Sequence, residues 1–147
     1  MALSKIPSEM QEALVADDIP VTRNYAVSDA SAITVATSSP TTIAAVTLTT
    51  TGGPVLLIAT GDANPLQTGG WNWYQFYRDS TAIGKKVLNE NAGASSINGA
   101  WANSTIDVPS AGTYSYQIRA WRGTGDMQYG ETGNAQAPTI CAVELVK

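Results

Sequence analysis

Residues 71–79 read WNWYQFYRD, and five of the first seven side chains are aromatic. A β-strand sends successive side chains to opposite faces. Trp71, Trp73 and Tyr77 therefore point one way, and Tyr74 and Phe76 the other. A strand on the surface of a monomer needs one apolar face; a strand with two is normally covered on both. The same doubling occurs at PVLLIAT (54–60), where Val55, Leu57 and Ala59 alternate with Leu56 and Ile58. It recurs near the end, where Ile140, Ala142 and Val146 alternate with Cys141, Val143 and Leu145, and Glu144 interrupts the first set.

Working outward from this stretch, turn-rich segments separate eight runs with strand character: 31–37, 41–50, 54–60, 71–79, 82–88, 101–108, 113–121 and 138–146. Thr, Ser, Gly and Ala are plentiful and charged residues few, a profile that suits strands and turns. Eight short strands with no helix between them predict an antiparallel jelly-roll sandwich. In such a fold connections alternate between two ends. The second, fourth and sixth (51–53, 80–81, 109–112) are tight, whereas the third, fifth and seventh (61–70, 89–100, 122–137) are long. All long loops are expected at one end, with the chain entering and finishing at the other.

Residues 1–29 differ in character. IPSEMQEALVADD (6–18) is the one helix candidate, with Ser8 as N-cap and Gln11 closing a capping box. Met10 and Leu14 share a stripe too short to hold alone in water, so the helix must dock on its own domain or on a partner. DDIPVTRNYAVSD (17–29) reads as an extended connector after it. The expected organisation is an arm over 1–29, with Met10, Leu14 and Ile19 as its anchor, and a knob domain over 30–147.

The sandwich covers one face of each sheet, so the second apolar faces need another explanation. The arm or a loop could wrap them. Leaving several large aromatics in water would forfeit ~1.5–3 kcal/mol apiece and create an adhesive patch. A second copy of the chain about a symmetry axis is the preferred cover. The expected interface residues are Tyr74, Phe76, Tyr114 and Tyr116.

The residues AGTYSYQI (111–118), YRDSTAIG (77–84) and APTICAVELV (137–146) resemble strands and a hairpin of the trimeric TNF/C1q-like jelly rolls that form knobs on bacteriophage fibres and spikes. MALSKIPSEM (1–10) is similar to openings of small phage virion proteins. The resemblance covers the β region and implies a homotrimer on a virion, attached to other virion proteins through the arm and working by binding.

Catalysis has little to work with. Histidine is absent, and with it the commonest general base and metal ligand. The single cysteine, Cys141, sits in an apolar run and reads as a small core residue. A glycosidase built on Asp62, Glu90, Asp126 and Glu131 is conceivable, but loop carboxylates are ordinarily just solvated. GDAN (61–64) and GTGD (123–126) hold oxygen ligands, which Asx turns explain without metal. NST (103–105) matches a glycosylation sequon by chance, inside a strand. No enzyme activity, cofactor or metal is expected. The net charge of -4 and the lack of a basic stripe argue against nucleic acid. No apolar run approaches ~20 residues, which argues against a membrane-spanning helix, and no export signal is legible, so synthesis in a host cytoplasm is expected.

One aromatic cluster remains. Trp71, Trp101 and Trp121 border long loops, Tyr129 lies within one, and Asn64, Gln67, Asn91, Asn98, Arg122, Asp126, Gln128 and Asn134 surround them. Flat rings beside amides and carboxylates suit a sugar. The same tryptophans could equally plug the end of the core. The expected glycan site is Trp71, Trp101, Trp121, Tyr129, Asn98 and Asp126. The functional expectation is a trimeric tail-fibre or spike knob binding the host surface. A capsid decoration protein and a monomeric carbohydrate-binding module are the alternatives.

Overall fold

A computed structural model describes residues 21–66, 70–90, 99–130 and 137–146. Among these the chain forms ten strands: β1 Val21–Asp29, β2 Ile33–Val35, β3 Thr41–Thr50, β4 Val55–Pro65, β5 Trp71–Arg78, β6 Thr81–Glu90, β7 Gly99–Asp107, β8 Gly112–Thr124, β9 Met127–Tyr129 and β10 Thr139–Val146. Met10, Leu14, Ile19 and the expected helix lie outside the described residues, as do Gln67, Asn91, Asn98 and Asn134.

All strand pairs are antiparallel. One six-stranded sheet runs β1-β10-β4-β9-β2, with β7 also on β4; a four-stranded sheet runs β3-β8-β5-β6. Chain order repeatedly crosses between the sheets, and first pairs with last (β1 with β10). That is the jelly-roll arrangement the strand count predicted.

Every expected strand is present. Two more were not foreseen. Val21–Asp29, read as connector, pairs with β10 from Val21↔Val146 to Asp29↔Thr139. Residues 21–29 thus form the edge of the six-stranded sheet. A register shift between Thr22 and Tyr25 breaks the alternation that would have marked this strand. β9 is only three residues long and sits within a turn-rich segment.

The expected polarity holds where it is described. Trp71 pairs with Glu90 and Thr124, and Ala63 with Gly99 and Tyr129, so the long connections gather at one end. Val21 and Val146 meet at the other, near the tight turn at 51–54.

The core lies between the sheets. Val55, Leu57, Ala59, Ile140 and Ala142 face Val46, Leu48, Tyr74, Phe76, Tyr116 and Ile118. Each such large aliphatic side chain contributes ~1.5–3 kcal/mol by leaving water. This corrects one expectation: Tyr74, Phe76 and Tyr116 are at most 1% exposed within a single chain and cannot be a contact surface. Alternation revealed two faces on their strands without revealing which one turns inward. Tyr114, partly buried, also packs against the core; its hydroxyl donates to the Ser110 carbonyl at 3.2 Å.

β6 departs from regular pairing. Between Tyr74↔Val87 and Phe76↔Ile83 it holds extra residues, and Gly84 takes φ +66° there. A Cβ at 84 would lie 2.5 Å from the Thr105 hydroxyl of β7, so glycine lets the two sheets close at this edge.

Candidate functional site

Three surfaces come from the sequence reading, and the fold treats them differently. At the long-loop end, Trp101 from β7 stacks on Tyr74 (centroids 4.5 Å apart, planes at 20°), and Tyr129 meets the same Tyr74 edge-on at 5.9 Å. The Asn72 amide donates to the Tyr129 hydroxyl, and the Asn89 amide to Tyr74 at 3.4 Å. Burial pushes both tyrosine hydroxyls up, and for Tyr129 the neighbouring Tyr74 adds to the rise. Trp101 and Tyr129 are buried and form the plug of the core; they are not open to a ligand, which corrects their assignment to the glycan site. Asp126 is held by Arg122 at 2.6 Å. Asn64 is buried at this end, and Gln128 faces it in the ladder between β4 and β9.

The second surface is the solvent side of the four-stranded sheet. Because Asn72, Tyr74 and Phe76 point inward, Trp71, Trp73, Gln75 and Tyr77 point outward and are half-buried. Trp73 pairs directly with Trp121 of β8. Trp71 meets Trp73 edge-on at 5.6 Å. The Trp71 benzo ring occupies the space a side chain at 123 would need: a Cβ there would fall 1.9 Å from it, so Gly123 is what admits the ring. The Lys86 ammonium sits 4.0 Å from the Trp73 ring centroid and 5.9 Å from that of Trp121. Arg119 lies 4.2 Å over Tyr77 and donates to the Gln117 side-chain oxygen (2.8 Å) and the Asp79 carbonyl (2.9 Å). Sequence reading found Trp71 and Trp121 but placed Trp73 only on a face, and missed Lys86 and Arg119. Lys86 is brought to the tryptophans by pairing between strands, which local spacing does not record.

The third surface is the solvent side of the six-stranded sheet. Register aligns Val27, Cys141, Ile58 and Ser104 in one row across β1, β10, β4 and β7, and Val143, Leu56 and Ile106 in the next. Val27 is 54% exposed, Ile58 42%, Ile106 60% and, just past β7, Val108 72%. A shallow depression of about 420 Å³ opens beside Ile58, lined also by Ala102, Asn103 and Ser104. Cys141 lies on this face, half-buried rather than in the core; its partial burial pushes the thiol up, away from the reactive thiolate. The doubled pattern at 54–60 and 138–146 pointed here; the aromatic doubling at 71–77 did not.

Among the described residues, no group of three or more acidic or cysteine side chains is placed to hold a metal ion. The chain has the TNF-like jelly-roll fold. No protein-family model matches its sequence, and neither does any curated protein. Among solved structures, it is similar to the Eiger TNF of S. frugiperda, with 9% identity, a TM-score of 0.56, and coverage of 88% of this chain and 95% of that one. It is also similar to the PRD1 vertex protein P5, with 9% identity, a TM-score of 0.52, and coverage of 87% and 99%. At such identity the likeness is one of fold.

Proposed function

We propose that this chain is a bacteriophage virion structural protein, a homotrimeric knob that works by binding rather than catalysis. The carrying observation is the apolar solvent side of the six-stranded sheet, where Val27, Ile58 and Ile106 are exposed in adjacent rows of one sheet. Covering what remains exposed of these three side chains would supply roughly half of the ~1.5–3 kcal/mol that full burial of each gives. Threefold symmetry follows the resemblance to TNF/C1q-like knobs, and the virion setting is supported by the likeness to the PRD1 vertex protein P5. The anchor role of Met10, Leu14 and Ile19 belongs to the same reading. Host-surface recognition then falls to surfaces away from the trimer axis. Capsid decoration is the neighbouring reading, and copy number per virion separates the two: hundreds of copies for decoration, a few trimers for a tail knob.

The test is solution mass by light scattering, for the full chain and for the double variant Ile58→Asp/Ile106→Asp. Three chain masses are expected for the natural sequence, and one for a variant with unchanged far-ultraviolet circular dichroism. A monomeric natural protein, or a variant that stays trimeric, refutes the interface.

A further inference from the structure

We infer that the solvent side of the four-stranded sheet binds an acidic oligosaccharide, with Trp71, Trp73 and Trp121 as the stacking platform and Lys86 as the partner of the ligand's carboxylate. This names a ligand for the surface-recognition role proposed above, on a sheet separate from the trimer interface, so the two tests fail independently.

Three indoles lie together on one solvent-facing patch, although a sheet face of this kind needs none. Towards β3 this face is polar, with Thr42, Thr47 and Thr49 on β3 and Thr113, Ser115 and Gln117 on β8, so the indoles are gathered on the β5 side. The rings are held in place before any ligand arrives. Trp71 is bedded on Gly123 and braced edge-on by Trp73, and Trp73 stands opposite Trp121 in the ladder. Fixed flat rings cover the C–H faces of a pyranose at low entropic cost. A lysine stem lying on one indole is ordinary cover for apolar surface. It leaves the neighbouring patch open, however, and Leu88, paired with Trp73 on the other side, is 45% exposed.

The choice of an acidic sugar rests on charge. Lys86 brings its ammonium to the middle of the aromatic patch, and Arg119 continues the cationic line towards Tyr77. Among the described residues neither cation meets a carboxylate: Lys86 rests on rings, and Arg119 donates to an amide oxygen and a main-chain carbonyl. At the Tyr77 end the Asp79 carboxylate already accepts from the Ser115 main chain at 2.9 Å, so the ligand's acidic group is expected at Lys86, among the tryptophans. Single-stranded nucleic acid also stacks on aromatics, but it needs a cationic track along its backbone. Two cations in a chain of net charge -4 do not make one.

The test titrates the full-length protein with hexagalacturonate and with sialyllactose, each beside its neutral parent sugar, following tryptophan fluorescence and heat. One acidic sugar is expected to bind more tightly than its neutral parent. Lys86→Gln, an exposed change that leaves the core untouched, should weaken that binding about fivefold, the upper range for an exposed ion pair. Trp73→Ala should weaken it about tenfold or more, one stacked ring's worth of contact. The proposal is overturned if neither acidic sugar binds by about 10 mM, far into the weak range. It is equally overturned if the neutral parents bind as well, if Lys86→Gln changes nothing, or if oligothymidylate displaces the sugar.

Discussion

Asp107 ties the two sheets through two partners. It stands on β7 of the six-stranded sheet, and its carboxylate receives Arg78 Nη1 at 2.8 and 3.0 Å and the Tyr116 hydroxyl at 3.0 Å, both from the four-stranded sheet. Asp107→Ala strands a part-buried guanidinium and a buried hydroxyl, and should cost about 2–3 kcal/mol. Tyr116→Phe leaves the ion pair intact and should cost about 1 kcal/mol. Urea midpoints order the two, and the reverse order would contradict this geometry. The buried tyrosines make a second prediction. Burial raises Tyr74, Tyr116 and Tyr129 above their ordinary value of 10.0, with the Asp107 charge adding to Tyr116. The folded state therefore holds these protons more tightly than the unfolded chain. Their contribution is fully present below pH 10 and is lost as pH rises above it, so stability should fall steeply on the alkaline side. In an ultraviolet titration, these three hydroxyls should ionise only together with unfolding. Reversible ionisation of all six tyrosines with the fold intact would refute it.

The elements that the sequence hides are those whose pattern is interrupted. Glu144 interrupts the apolar series of β10 in the sequence. In the fold it is fully buried, and its carboxylate accepts from the Thr51 main chain (2.7 Å) and hydroxyl (3.0 Å) and from the Gly53 main chain (2.9 Å). A residue on the last strand thus holds the turn between β3 and β4, while Leu145 donates to the Pro54 carbonyl beside it. Glu144→Ala removes the acceptor shared by three part-buried donors and should cost about 1–2 kcal/mol; Glu144→Gln, which keeps an accepting oxygen, should cost less. Thermal melts of the two variants check the order. β1 was hidden in the same way, by a register shift in its middle, and β9 by its brevity. The regular strands, β3 and β8 above all, were legible because a buried residue recurs at nearly every second position.

At the scale of the whole molecule, the sandwich leaves two unlike outer faces. One is aliphatic, across β1, β10, β4 and β7; the other is aromatic and cationic, across β8, β5 and β6. Separate roles for the two faces make a joint prediction. Ile58→Asp/Ile106→Asp should change the solution mass and leave the intrinsic affinity per chain for a sugar unchanged, while Lys86→Gln should do the opposite. A variant on one face that alters both properties would mean the faces are coupled through the core. The candidate site was half legible. Trp71 and Trp121 were found from their places beside long loops, but Trp101 and Tyr129, chosen on the same ground, turned into the core.

The amino-acid sequence by itself determined the all-β class, the eight principal strands, the gathering of long connections at one end, and the fact that several strands carry two apolar faces. These are properties of local alternation and of turn chemistry, which neighbouring residues set between themselves. Only the tertiary structure decided which face of each strand is inside. Alternation has a period of two but no sign, and the sign is set when β4 and β10 close over β3, β8 and β5. That closure made Tyr74 and Phe76 core, left Ile58 and Ile106 in water, and carried Lys86 onto the ring of Trp73.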